Sequence, residues 1–76
     1  MKGMPDRRVI DGRGMLPPEP LELALAALGA MASGEELVML LHCEPVPLYS
    51  ILDPRTYRYR SEFRADGTNE IHIRKL

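Results

Sequence analysis

The chain is short of the residues that mark several common function classes. Its 76 residues include one cysteine, Cys43. An intrachain disulfide is therefore excluded, and a reduced, cytoplasmic setting is expected. Neither a CxxC nor an HxxxH spacing occurs, which removes the usual frame of a protein-only metal site. No metal and no cofactor are expected. Apolar runs are short, the longest lying within residues 21–32, too few to span a bilayer. The opening MKGMPDRRV has no apolar stretch of the secretory kind. Internal repeats and low-complexity tracts are also missing. These absences predict one small soluble domain over residues 8–76, preceded by a flexible tail over 1–7. A chain this short buries only about 60% of the surface that its unfolded form exposes, so its stability margin is thin.

The net charge of −1 hides a segregation. Residues 1–54 carry four basic against eight acidic side chains, whereas residues 55–76 carry six against three. The basic end suits an anionic partner, but a solvated face is the plainer reading.

Along the chain, Arg8 to Asp11 reads as a short strand, ended by Gly12 and Gly14, which permit a tight strand-to-helix turn. Pro18 or Pro20 suits the first helical position, where a missing N–H costs nothing. From Glu19 to about Ala32 the apolar stripe Leu21, Leu25, Leu28, Ala32 has helical spacing, and Gly34 suits a left-handed cap. Glu36 to Cys43 is a continuous apolar run of strand length. Ser33 and Glu36 match a capping-box spacing, but no helical period follows, so no helix is expected there. Pro45 and Pro47 open a shorter helix carrying Leu48, Ile51 and Leu52, which Pro54 stops.

Residues 57–64 alternate cleanly. Tyr57, Tyr59, Ser61 and Phe63 share one face, and Arg58, Arg60, Glu62 and Arg64 the other. Asp66-Gly67 signals a hairpin turn, and the partner strand turns Ile71 and Ile73 inward, Glu70, His72 and Arg74 outward. The order β-α-β-α-β-β predicts an α/β (α+β) two-layer sandwich, with a four-stranded mixed sheet and two helices on one face.

The stretch DGRGMLPPEP and the apolar helix behind it resemble the TusA-like (SirA-like) sulfur carriers, which share this element order and place a Cys-Pro-x-Pro motif at the first helix start. The resemblance runs from about Val9 to Arg74. Here the motif reads Pro17-Pro18-Glu19-Pro20, so Pro17 stands where the family's persulfide-bearing cysteine would be. The segment HCEPVPL resembles a His-Glu-Pro-x-Pro-Leu stretch in an uncharacterised branch of the family that also lacks this cysteine. Domains of that branch occur near or fused to hemerythrin-like domains. The resemblance implies a tie to redox or oxygen and nitrogen-oxide metabolism.

The strand ends of a parallel β-α-β unit lie on one edge, where open α/β sheets place ligands. Arg13, Pro17, Pro18, Glu19, His42, Cys43, Glu44 and Pro45 are therefore the candidate binding residues. The helix start itself favours anions, less the donors that prolines remove. The plain alternative is that Pro-Pro-Glu-Pro is only a rigid stop and that Cys43 is a small buried hydrophobe. Adjacent strand residues point to opposite faces, so His42, Cys43 and Glu44 do not suggest a shared metal.

Val38 and Leu40 alternate with the core positions and should fall on the uncovered sheet face. Leu23 and Ala27, with Ala30, form a second apolar stripe on the first helix. These mark an interface, with a homodimer as one form of it. The alternative is that long arginine stems lie over Val38 and Leu40. The basic strand face lacks interleaved rings, since Tyr57, Tyr59 and Phe63 lie on the opposite, core-facing side, so nucleic acid is disfavoured.

The sequence thus supports a non-enzymatic binding domain that engages a protein partner or a small anion at this edge. A sulfur-carrier or sulfurtransferase accessory using Cys43 is the alternative, and an RNA-binding module a weaker one.

Overall fold

The computed structural model describes residues 7–76. The elements are β1 (Arg7–Asp11), α1 (Glu19–Ala30), β2 (Glu36–Leu41), α2 (Val46–Ile51), β3 (Tyr57–Phe63) and β4 (Asn69–Lys75). They form one four-stranded sheet in the order β1-β2-β4-β3, with β1 parallel to β2 and the other two pairings antiparallel. The expected element order and sheet are therefore present. The tail expected over 1–7 lies outside the described residues, except for Arg7, which opens β1.

Period-two alternation along the central strands sends Leu37, Met39 and Leu41 of β2 and Ile71 and Ile73 of β4 to one face. There they are buried against Ala24, Leu28, Met31, Leu48 and Leu52. Each aliphatic side chain of this size contributes about 1.5–3 kcal/mol when taken fully out of water. No helix among the described residues is long and apolar enough to cross a membrane.

The face that α1 turns to the sheet differs from the expected stripe. Ala24 and Leu28 are buried, and Leu21 and Ala27 pack against the core. Leu25, expected inside, is 46% exposed. The inward spacing runs through Leu21, Ala24, Leu28 and Met31 rather than Leu21, Leu25, Leu28 and Ala32, which leaves Leu25 on the flank. The helix also ends at Ala30, so Ala32 is beyond it. Met31 is extended and still buried in the core. No basic residue occupies the last turn of α1. Instead Arg8 donates to the Ala30 carbonyl at 3.4 Å and Lys75 Nζ to that of Met31 at 3.0 Å, placing cations at the negative helix end.

Gly34 has the left-handed φ of 89°, but it serves the turn into β2 rather than capping α1. Its N–H donates to the Lys75 carbonyl at 2.7 Å. Glu35, not Ser33, completes that turn by accepting the Ala32 N–H at 2.7 Å. The β3–β4 hairpin closes as the Asp66-Gly67 signal predicts. Gly67 has φ 91°, Arg64 N–H donates to the Thr68 carbonyl at 2.8 Å, and Asp66 Oδ1 accepts the Thr68 N–H at 2.9 Å.

Two expectations about the sheet faces need correction. Val38 does point to the uncovered face, opposite Val9 on β1 and His72 on β4, yet it is only 5% exposed and Leu40 is half-buried. These two therefore offer little free apolar area, whereas Val9, beside Val38 on β1, is 60% exposed. Conversely, of the three β3 rings expected in the core only Tyr57 packs against it, whereas Tyr59 is 47% and Phe63 74% exposed. β3 is an edge strand, and Tyr49 of α2 stacks on Tyr59, with ring centroids 4.4 Å apart and planes 8° from parallel.

Candidate binding cleft

Because β1 and β2 run parallel, both chains leave the sheet at the same edge. β1 exits through a loop that starts α1, and β2 exits through residues 42–45 into α2. The strand expected to reach Cys43 ends at Leu41, so His42, Cys43 and Glu44 belong to this second loop. Prolines preset both helix starts: Pro20 lies in the first turn of α1 and Pro47 in that of α2. Gly12 lets the first loop come in close. Its N–H donates to the Leu40 carbonyl at 2.8 Å, and a Cβ there would stand 2.6 Å from Leu41 Cδ2. The two loops are thereby drawn together.

Between them lies a cleft of about 420 Å³. Buried Met39 and Leu41 line its inner side, and exposed Leu16, Cys43 and Glu44 its outer side. Of the sequence candidates, it unites Pro17, Pro18, His42, Cys43, Glu44 and Pro45. Arg13 and Glu19 are not among its lining residues. Arg13 is turned to Asp11 instead, donating from Nε and Nη2 to the two carboxylate oxygens at 2.9 Å each. The same guanidinium holds the Asp11 carboxyl down at about 2, against its usual 3.8. Among the described residues the lining contains no lysine or arginine and is mostly aliphatic and proline, with Met15, Leu21 and Leu48 completing it. Met15 and Leu16 lie within the edge expected over residues 13–20 and 42–48 but were not singled out, although their apolar character between Gly14 and the prolines is a readable signal.

Cys43 is exposed, which corrects the reading of it as a buried hydrophobe. A strand residue of that parity would enter the core, but the chain has already left the sheet. Glu44 is anchored by the Tyr49 hydroxyl, which donates to Oε2 at 3.3 Å. Burial pushes the Tyr49 phenol pKa up, partly offset by a hydrogen bond with Ser61, and the Glu44 carboxylate adds to the rise.

A second polar group lies on the opposite sheet face. His72, expected outward and solvated, is only 8% exposed. Its Nδ1 is 3.2 Å from Glu36 Oε2, and its Nε2 is 2.8 Å from Glu70 Oε2. Arg64 Nε donates to Glu70 Oε1 at 2.7 Å, and Arg60 pairs with Glu62. Arg64, with His72 behind it, holds the Glu70 carboxyl below its usual range. Glu62, Glu70 and His72 bring one donor atom each within 4.8 Å of one another, but Arg60 and Arg64 already neutralise the two carboxylates, so the group is complete as an ion-pair network.

Residues 9–75 match the family model described as an uncharacterized conserved protein, DUF2249. The chain belongs to this family. A SirA-like protein from Desulfitobacterium hafniense, known from a crystal structure, has a TM-score of 0.74 to the DUF2249 chain, covering 87% of this chain and 93% of that one at 22% identity. At that identity the likeness concerns the fold, and it makes the fold SirA-like, as the DGRGMLPPEP stretch implied. No curated protein matches.

Proposed function

We propose that this DUF2249 domain is a non-enzymatic binding module that accepts apolar side chains of a protein partner in the cleft between the starts of α1 and α2. The observation that carries this reading is the lining: a cleft of about 420 Å³, walled by leucine, methionine and proline, with no lysine or arginine among the described residues. A small anion is less well served, because the two N-terminal prolines of α1 remove donors and Arg13 is engaged by Asp11. Apolar side chains entering the cleft would release water from Leu16, Met15 and Leu21 while polar groups of the partner meet His42 and Glu44 at the rim. The hemerythrin-like neighbour implied by the family resemblance is the partner to try first.

Cys43 supplies the test, since it is exposed at the cleft and is the protein's one thiol. A photoactivatable crosslinker on Cys43 should capture a discrete protein in the cells that make this domain, and Leu16→Asp should abolish the adduct. An adduct equally strong in Leu16→Asp would overturn the reading. One second reading has its own support. The exposure of Cys43 beside the family's helix-start position suits a sulfur-carrier accessory. Trapping a persulfide on Cys43 by alkylation, after incubation with a cysteine desulfurase, would favour it over the binding module.

A further inference from the structure

We propose that β3 pairs with β3 of a second copy, antiparallel about Ser61, to make a weak, symmetric dimer with a continuous eight-stranded sheet. This surface is separate from the cleft, and the inference does not depend on the cleft's function. β3 is the last strand of the sheet order. The Arg64 N–H points to β4, donating to Thr68, so in the alternating antiparallel ladder the N–H and C=O groups of Tyr59, Ser61 and Phe63 face the free edge.

Proteins commonly guard such an edge with proline, a bulge, a very short strand or charged side chains, and β3 has only the last, in its arginines and Glu62. β3 has seven residues and no proline. Its side chains are self-complementary in one register. With Ser61 opposite Ser61, Tyr59 of each copy meets Phe63 of the other, and Arg60 meets Glu62, each pair occurring twice by symmetry. The first pairs cover the exposed ring surface that the helices leave bare. The second extend the Arg60–Glu62 pair already present within each strand into a four-membered charge group. Arg58 and Arg64 would stand opposite one another only at the ends of the pairing. There Arg64 is held by Glu70 and Arg58 by the Pro54 carbonyl. Shifting the register by one residue in each copy sets Arg60 against Arg60 and loses the Tyr59–Phe63 pairs, so the sequence selects one alignment.

Strand pairing of this length buries less than the roughly 1,200 Å² of a standard stable interface. A dissociation constant between about 10 μM and 1 mM is expected, and sedimentation equilibrium over a concentration series reads it. A monomer throughout, up to about 1 mM, would overturn the proposal. Arg60→Glu and Glu62→Arg should each weaken association roughly tenfold, because two cross-strand pairs turn from attractive to repulsive. An equimolar mixture of these two variants should recover it, since every charged pair is then opposite in sign. Failure of the mixture to recover association would count against the register. Ser61→Pro should abolish the dimer while the monomer still folds, because that N–H has no partner in the β3–β4 ladder, and Ser61→Ala, which loses only the hydroxyl's bond to Tyr49, should keep the dimer. Leu40→Lys, on the other sheet face, should leave association unchanged. A dimer lost in Leu40→Lys but kept in the β3 variants would place the contact on that face instead and refute the inference.

Discussion

Pro17→Cys, made in a Cys43→Ser background, restores a Cys-Pro-x-Pro sequence at the start of α1 and asks how strongly this helix end activates a thiol. A helix N-terminus stabilises an adjacent anion by about 0.3–1 kcal/mol, and one pKa unit corresponds to about 1.4 kcal/mol. An intact end would therefore lower a thiol by roughly 0.2–0.7 units from the ordinary value of about 8.5. This end is depleted. Pro18 and Pro20 have no N–H, and the Glu19 N–H is used by the Leu16 carbonyl at 3.0 Å and that of Glu22 by the Pro18 carbonyl at 3.1 Å. Little beyond the Leu21 amide is left, and the carboxylates of Glu19 and Glu22 in the first turn oppose a thiolate. The introduced thiol is expected at about 8 to 8.5, read from thiolate ultraviolet absorbance against pH. Pro17 is exposed, so the substitution should fold. A value below about 7 would refute the reasoning, because it would require far more donor capacity at this helix start than the hydrogen bonds described leave available.

Gly67→Val should lower stability by about 1–3 kcal/mol, since φ is positive and a β-branched residue resists it. That corresponds to roughly 4–8 °C of melting temperature for each kcal/mol. Among the described residues, no heavy atom beyond the chain neighbours lies within 4 Å of the added Cβ, so the cost is conformational, and Gly67→Asn should recover more than half of it. Equal losses in the two variants would contradict this. Leu48→Ala removes a fully buried side chain between α2 and the sheet, and should cost about 2–5 kcal/mol by chemical denaturation. Asp11 has a folded pKa of about 2, below its usual 3.8, so its pairing with Arg13 stabilises the fold above about pH 4. That contribution fades as pH falls toward 2. The stability difference between the protein and Asp11→Asn should therefore be constant above about pH 4 and shrink below it. A difference that grows on acidification would refute the sign.

The sequence by itself determined the element order, the mixed sheet, the left-handed glycine at 67 and the edge where two loops meet. These follow from local periodicity and from residues whose backbone preferences are strong: glycine at a positive φ, proline at a helix start, alternation along β3 and β4. The ends of the elements were less legible. Strand β2 stops at Leu41 because the chain must turn toward α2, and that decides whether Cys43 is inside or out. On helix α1 it is Ala24, not Leu25, that meets the core, a choice between adjacent positions that helical spacing alone does not make. The cleft's lining by Met15 and Leu16 depends on how the first loop folds back over Leu41, where only Gly12 fits. Burial of His72 and exposure of Phe63 depend on which strands lie at the centre and which at the edge. Strand order is a long-range property: β4 inserts between β2 and β3, giving His72 neighbours on both sides, while Phe63 on β3 is left with a neighbour on one side only. Local patterning cannot express that difference, since both residues sit on equally regular alternating strands.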